Sequence, residues 1–347
     1  MPFKTNLNVT PYYDDFDKAN NFQQILSRPG FAVQARELTQ AQSILRNQIE
    51  EMGNFLLKEG AMVVPGTIRK ADLKYVKLEN TYLGSTVDAT QYTAGVAADS
   101  TGLSFNTGVG TEITGVTSGI KAKVIASIAA TATDPVTLLV ETISAATDNE
   151  RQSFLNGEEI SANVGITHGT TSYSANAVSA KVITPTVTST LVDGAIPDFS
   201  IIDAARSTGK GLYASIAAGV YYVRGCFVEV TEQLVTVEKY HTPLVNARVG
   251  LEVKEEIVTP ESDTTLLDNA TGTSNYAAKG AHRLKITCTL TSKALTATDD
   301  LNFIELMRFK NGVPEKKVDK TSLGRMEKTL ARRTFDESGD YTVRPFQ

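Results

Sequence analysis

The stretch "FAVQARELTQAQSILRNQIEEMGNFLLKEG", residues 31–60, is the longest run of helical periodicity in a chain otherwise patterned for strands. Apolar residues recur at Leu38, Ala41, Leu45, Ile49, Met52 and Leu56, with Phe55 beside the last. Spacings of three and four put them on one stripe. Arg36, Glu37, Arg46, Glu50 and Lys58 fall largely off it. The pattern predicts a helix beginning near Ala32 or Val33 and ended by Gly60 as a residue tolerant of positive φ. Leu38, Leu45 and Met52 share one heptad position, with Ile49 and Leu56 beside them. Such a stripe suits a coiled-coil or bundle seam against a second copy, and equally a helix packed on the chain's own sheet.

The flanking sequence sets that helix in a mainly β (α+β) chain. Residues 1–30 are polar, carry Pro2, Pro11 and Pro29, and predict an extended arm. Residues 31–84 would hold the helix and the first framework strands, in "AMVVPG" and "LKYVKLEN". From about Tyr82 the composition turns to Thr, Ser, Ala and Gly, with short alternations such as "AKVIASI" and "VTLLVETI". Residues 85–195 are therefore expected to be an inserted, separable β-barrel or sandwich. Residues 196–347 form a second β framework region. There "AGVYYVRGCFVEVTEQLVTVEKY" predicts two β runs meeting at Arg224-Gly225 and a third after Glu232-Gln233. "HRLKITCTLT" reads as a strand, "TSLGRMEKTLARR" as a short basic helix capped by Thr321 or Ser322, "DESGD" as a turn and "YTVRPFQ" as a final strand.

The residues that could carry chemistry do not assemble into a motif. With 347 residues, two or three domains are expected. A net charge of −5 points away from a nucleic-acid partner. Cys226 and Cys288 make neither a CxxC pair nor a disulfide framework and read as buried thiols. His168, His241 and His282 lack metal-ligand spacing. "GVGTEITG" lacks the third glycine of a dinucleotide loop, and in "ARSTGKGLY" a glycine follows the lysine where a P-loop needs Ser or Thr. Both read as turns or loops. The carboxylates Asp14, Asp15 and Asp17 read as a solvated cluster, and those around Gly339 as a capped turn. Residues 308–333 hold nine basic against three acidic side chains, a net +6 that includes Arg325, Lys328, Arg332 and Arg333. In an acidic chain this predicts an electrostatic seat for an acidic partner. No apolar run approaches the length of a membrane span, and the first residues lack a signal-peptide core. The expectation is a soluble protein made in a reducing compartment, with no catalytic, cofactor or metal site.

Four stretches carry a resemblance: "NLNVTPYYDDFDKANNFQQILSRPGFAVQARELTQAQSILRNQIEEMGN", "GVYYVRGCFVEV", "RVGLEVKEEIVTPESDTTLLDNATGTSNYAAKGAHRLKITCTLT" and "TLARRTFDESGDYTVRPF". In order and spread along the chain, they resemble a family of tailed-phage virion proteins with a domain of unknown function. The family is found in cyanophages and other myoviruses with T-even-like contractile tails. The resemblance implies a tail location, assembly in the host cytoplasm, and a structural role without catalysis, most directly in the baseplate wedge. Its implied partners are other tail and baseplate proteins and a second copy of the chain, with no nucleic acid and no membrane insertion. A tail-fibre adaptor or receptor-binding role is the alternative, with 85–195 as the adhesive module, although that module is poor in aromatics. A tail-associated hydrolase would need a carboxylate pair or metal site that the sequence lacks. Many members of that family continue into further β domains, so the resemblance implies that such distal modules are absent here or carried by another chain. The expected assembly residues are Leu38, Leu45, Ile49, Met52, Leu56, Arg325, Lys328, Arg332 and Arg333. The arm is expected to drape over a neighbour.

Overall fold

The computed structural model describes residues 4–27, 29–93, 103–105, 110–132, 134–145, 153–184, 206–240, 245–297, 300–318, 321, 323 and 325–339. Its architecture is mainly β with two α-helices, α1 (Ala35–Leu56) and α2 (Arg325–Ser338). The strands fall into a framework and an insert, each with its own core.

The framework packs three antiparallel sheets around one cluster that includes Ile68, Leu212, Tyr221, Val249, Leu251 and Phe309. One sheet joins Met62–Val64, Gly219–Val223 and Cys226–Val230. A second joins Ile68–Ala71, Leu212–Ile216 and Gln233–Glu238. The third is built on two 12-residue strands, Ala247–Val258 and Arg283–Ala294, with Phe303–Lys310 and Val313–Lys317 beyond. Arg224 and Gly225 both take positive φ and close the predicted two-residue hairpin. The run after Glu232-Gln233 is a strand as expected. It pairs with Leu212–Ile216 rather than extending that hairpin. In Ala247–Val258 burial fades beyond Val253, so the hairpin projects out of the core.

The insert is one curled antiparallel sheet around a second core that includes Val76, Leu78, Ile113, Val124, Leu138 and Ile160. Its sheet runs Val178–Lys181, Glu159–Ala162, Glu112–Gly115, Lys121–Ile128, Thr137–Ser144, Lys74–Lys77 and Thr208–Lys210. Leu78 and Val182 bring its ends together at a single bridge, without closing a barrel. Two expectations need correction here. Lys74–Lys77, assigned to the framework, lies inside the insert's sheet between Thr137–Ser144 and Thr208–Lys210. "ARSTGKGLY", read as a loop, supplies two strands of the connection. Its alternating glycines mislead because they serve packing: a Cβ on Gly209 would lie 2.5 Å from Tyr75 Oη.

Chain entry and exit thus form a two-strand neck. Ile68–Ala71 pairs with Leu212–Ile216 on the framework side, and Lys74–Lys77 with Thr208–Lys210 on the insert side. The Gly211 N–H donates to Leu73 O between them, at 2.9 Å. A third small core braces the neck, with Tyr75, Leu139, Tyr213 and Leu234. Asp134 of the insert accepts from Lys239 Nζ at 3.0 Å and from Tyr240 Oη at 2.9 Å. Excising 85–195 therefore strips Lys74–Lys77 of its partner strand Thr137–Ser144 and should leave an aggregation-prone edge. Excising 74–210 with a short Gly/Ser linker removes the whole sheet. Thermal melts should show one cooperative transition for the second deletion, and a broadened or absent transition for the first.

α1 starts at Ala35, later than expected. The Glu37 carboxylate accepts from the Gln34 N–H at 3.0 Å, half of a capping box. It ends at Leu56 because Leu57 is extended; Gly60 lies beyond it in a left-handed turn. α2 runs on through Asp336 and Glu337, which the sequence placed in a turn. The final "YTVRPFQ" and the 195 boundary lie outside the described residues.

Candidate functional site

α1 turns the wrong face outward for a helix that belongs to its own core. Its buried positions are Ser43, Ile44 and Gly53. Gly53 is there because Tyr222 crosses the helix: a Cβ would sit 2.5 Å from the phenol oxygen, which donates to Glu50 O at 3.1 Å. Leu38 (64%), Leu45 (64%), Ile49 (51%), Met52 (67%) and Phe55 (49%) are exposed, and Leu56 is half-buried. The apolar stripe does not pack on the chain's own sheet. Full burial of such a side chain is worth about 1.5–3 kcal/mol, so covering the part still exposed is worth about 1–2 kcal/mol each.

α2 joins this surface. It has no buried residue, and Leu330 and Phe335 are exposed. It lies against α1, and the residues flanking the two helices meet at the Leu57–Leu323 bridge, while Lys58, just past α1, pairs with Glu327 of α2 at 3.6 Å. Arg325, Lys328, Arg332 and Arg333 are all exposed on it, with Arg333 donating to Glu337 at 3.0 Å. The nine sequence-predicted residues thus sit on two touching helices, eight of them exposed.

The arm corrects one expectation. It lies on its own chain, along α1 and the long hairpin. Asp14, expected to be solvated, is buried and accepts from Ser43 Oγ at 2.6 Å. Asp15 pairs with Arg36 at 3.1 Å, Asp17 accepts from Ala19 N at 2.9 Å, and Gln48 donates to Gln23 at 2.5 Å. Ser43 and Gln40 of α1 hold this polar strap, Ser43 donating to Asp14 and Gln40 to Asp15.

Sequence reasoning missed the most heavily built polar cluster. The Arg224 guanidinium bonds Glu255, and it donates to Asn302 Oδ1 at 2.7 Å. The two charged side chains are 5% and 4% exposed. Glu255 also accepts from Thr5 N at 2.8 Å, Thr5 Oγ1 at 2.5 Å and Lys4 N at 3.1 Å. Burial alone would raise its pKa. The bonds from Thr5, Arg224 and Lys4 outweigh burial and hold it below its ordinary 4.5. The only sequence signal was an arginine in a hairpin turn, which does not name its partners.

Burial pushes Cys288 up to about 11, and half-buried Cys226 is raised too, so neither is an activated thiolate. Among the described residues no His, Cys, Asp and Glu side chains cluster as metal ligands, and no helix is long and apolar enough to cross a membrane. Buried His168 accepts from Asp88 N on Nδ1 at 3.2 Å and meets Ser179 O with Nε2 at 2.9 Å. A carbonyl can only accept, so the proton sits on Nε2. Burial lowers its pKa below the ordinary 6.5. The unfolded state then binds the proton better, and stability falls as pH drops below 6.5 toward the folded value. The insert should lose a few degrees of Tm between pH 7 and 5, since about 1 kcal/mol moves a domain of this size by roughly 2–8 °C. His168→Asn should lower Tm at pH 7 and flatten that dependence, which melts across pH would reveal.

Comparison with known proteins gives one match. A family described as "Domain of unknown function (DUF4815)" covers residues 10–117 and 189–347. These segments take in most of the arm, both helices, the neck and the framework strands, and leave 118–188, the middle of the insert, outside. No curated protein and no solved structure matches.

Proposed function

The chain belongs to the DUF4815 family, matched over more than half its length, and we propose that it is a structural component of a bacteriophage contractile tail, in the baseplate wedge region. It works by protein–protein assembly, with no cofactor and no reaction of its own. One observation carries this reading: α1 is seated on the body through Ser43, Ile44 and Gly53 and presents Leu38, Leu45, Ile49, Met52 and Phe55 outward. Contiguous exposed apolar surface of this kind marks an interaction site. The basic row on α2 beside it favours a partner with acidic groups around its contact. The tail location comes from the sequence resemblance, which supports the reading over the same arm, helix and hairpin.

The experiment is mass spectrometry of purified particles of the phage that encodes the chain. The chain should be recovered in fixed ratio to the tail proteins, and in tails separated from heads. Its absence from tails, or recovery only in the soluble lysate, would overturn the proposal. A second reading, a tail-fibre adaptor or receptor-binding protein, is favoured by the neck, which holds the insert out from the framework on two strands.

A further inference from the structure

The core-facing side of the insert's curled sheet does not stay apolar along its whole length. Pairing sets Lys74 and Val76 on that side, opposite Lys210 and Thr208 on one neighbouring strand and Val140 and Leu138 on the other. Val76, Leu138 and Val140 are buried in the second core. One step along the same face, Lys74 and Lys210 stand directly across from each other. Together with Thr142, Ser153, Phe154 and Thr208 they line a cleft of about 240 Å³ at the end of that core.

Two like charges directly opposite on antiparallel strands repel. Elsewhere the chain answers such pairs with carboxylates. Arg248 faces Lys293, with Glu305 2.6 Å from the first and Asp300 on the second. Arg308 faces Lys316, with Glu305 3.0 Å from Arg308. Among the described residues no carboxylate lines the Lys74–Lys210 cleft, and none pairs with Lys210. The cleft adds hydroxyls instead. Thr142 Oγ1 accepts from Lys74 Nζ at 3.0 Å, which leaves its own proton to donate. Burial, and then the Lys210 charge, hold the Lys74 amine below its ordinary 10.5, and an anion between the two lysines would offset both effects.

We propose that this cleft binds a phosphate monoester, held by the ammonium groups of Lys74 and Lys210 and by the hydroxyls of Thr142, Ser153 and Thr208. The charge of such an ester, about −1.5 to −2 at pH 7, matches two cations, where a carboxylate or a phosphodiester brings a single charge. The cleft is smaller than the ~300–1,000 Å³ that drug-sized ligands occupy, which suits a body no larger than one sugar ring. The site lies in the insert, apart from the α1 stripe, and is independent of the tail reading.

Calorimetric titration of the full-length chain at low ionic strength tests it, with glucose 6-phosphate, inorganic phosphate and gluconate as probes. Glucose 6-phosphate should bind one per chain. Gluconate, with one negative charge on a similar body, should bind at least about tenfold more weakly, the worth of one charged hydrogen bond. Lys210→Gln should weaken glucose 6-phosphate by about the same factor. Lys121→Gln makes the same charge change at an exposed position outside the cleft and should leave the affinity unaltered. Lys210 is exposed, so its variant should melt no lower than wild type; if it does not fold, Lys74→Gln takes its place. No binding of glucose 6-phosphate, gluconate bound as tightly, or equal weakening by the Lys210 and Lys121 variants would overturn the proposal. Inorganic phosphate bound as tightly as glucose 6-phosphate would overturn it too, leaving a site for a bare anion.

Discussion

Replacing Leu45 and Ile49 by Asp should abolish self-association and leave the isolated chain folded. Both side chains are more than half exposed on α1, so the monomer loses helix propensity and little packing, about 1 kcal/mol or less in all. In a partner interface the same change buries carboxylates at an apolar seam, at several kcal/mol. Each ~1.4 kcal/mol is tenfold in affinity, so weakening of at least about a hundredfold is expected. Light scattering across a concentration series, with melts of both forms, checks it. A variant that unfolds as a monomer would return the stripe to the chain's own core. A variant that associates as well as wild type would remove the seam.

The largest effect on the fold itself is expected at Glu255→Ala. It leaves the Arg224 guanidinium buried without its counter-charge, and breaking one side of such a pair costs about 3–5 kcal/mol. The loss is shared among elements distant in sequence: the arm, the 219–230 hairpin and the long hairpin all meet at this carboxylate. pH carries the same signature. Glu255 has a depressed pKa, so its stabilisation is present above 4.5 and disappears as pH falls through the lower folded value. Hydrogen exchange at the Lys4 and Thr5 amides should accelerate, relative to intrinsic rates, in that acid window. Denaturant melts of Glu255→Ala should show the loss in midpoint, and an unchanged midpoint would refute the clamp.

Local periodicity made the secondary elements legible. Alternation located Lys121–Ile128 and Thr137–Ser144, and the heptad stripe located α1. The Arg-Gly dipeptide marked a hairpin turn because both residues can take positive φ there. What stayed hidden was non-local. The stripe's period says that a helix has an apolar face, but not whether that face looks inward; Tyr222 over Gly53, from a strand far along the chain, decides this. The neck was hidden for a related reason. Gly209 and Gly211 read as a loop until Tyr75 and Tyr213 are seen to occupy their missing side-chain space. Glu255 looks in sequence like any charged position of a half-exposed strand, and only the fold brings Arg224 and the arm to it.

Cryo-electron microscopy of the intact tail tests the central claim most directly. The account predicts density for this chain within the tail, with Leu38, Leu45, Ile49 and Met52 of α1 covered by another polypeptide. A tail in which the chain is present and that helix face meets only solvent would contradict it.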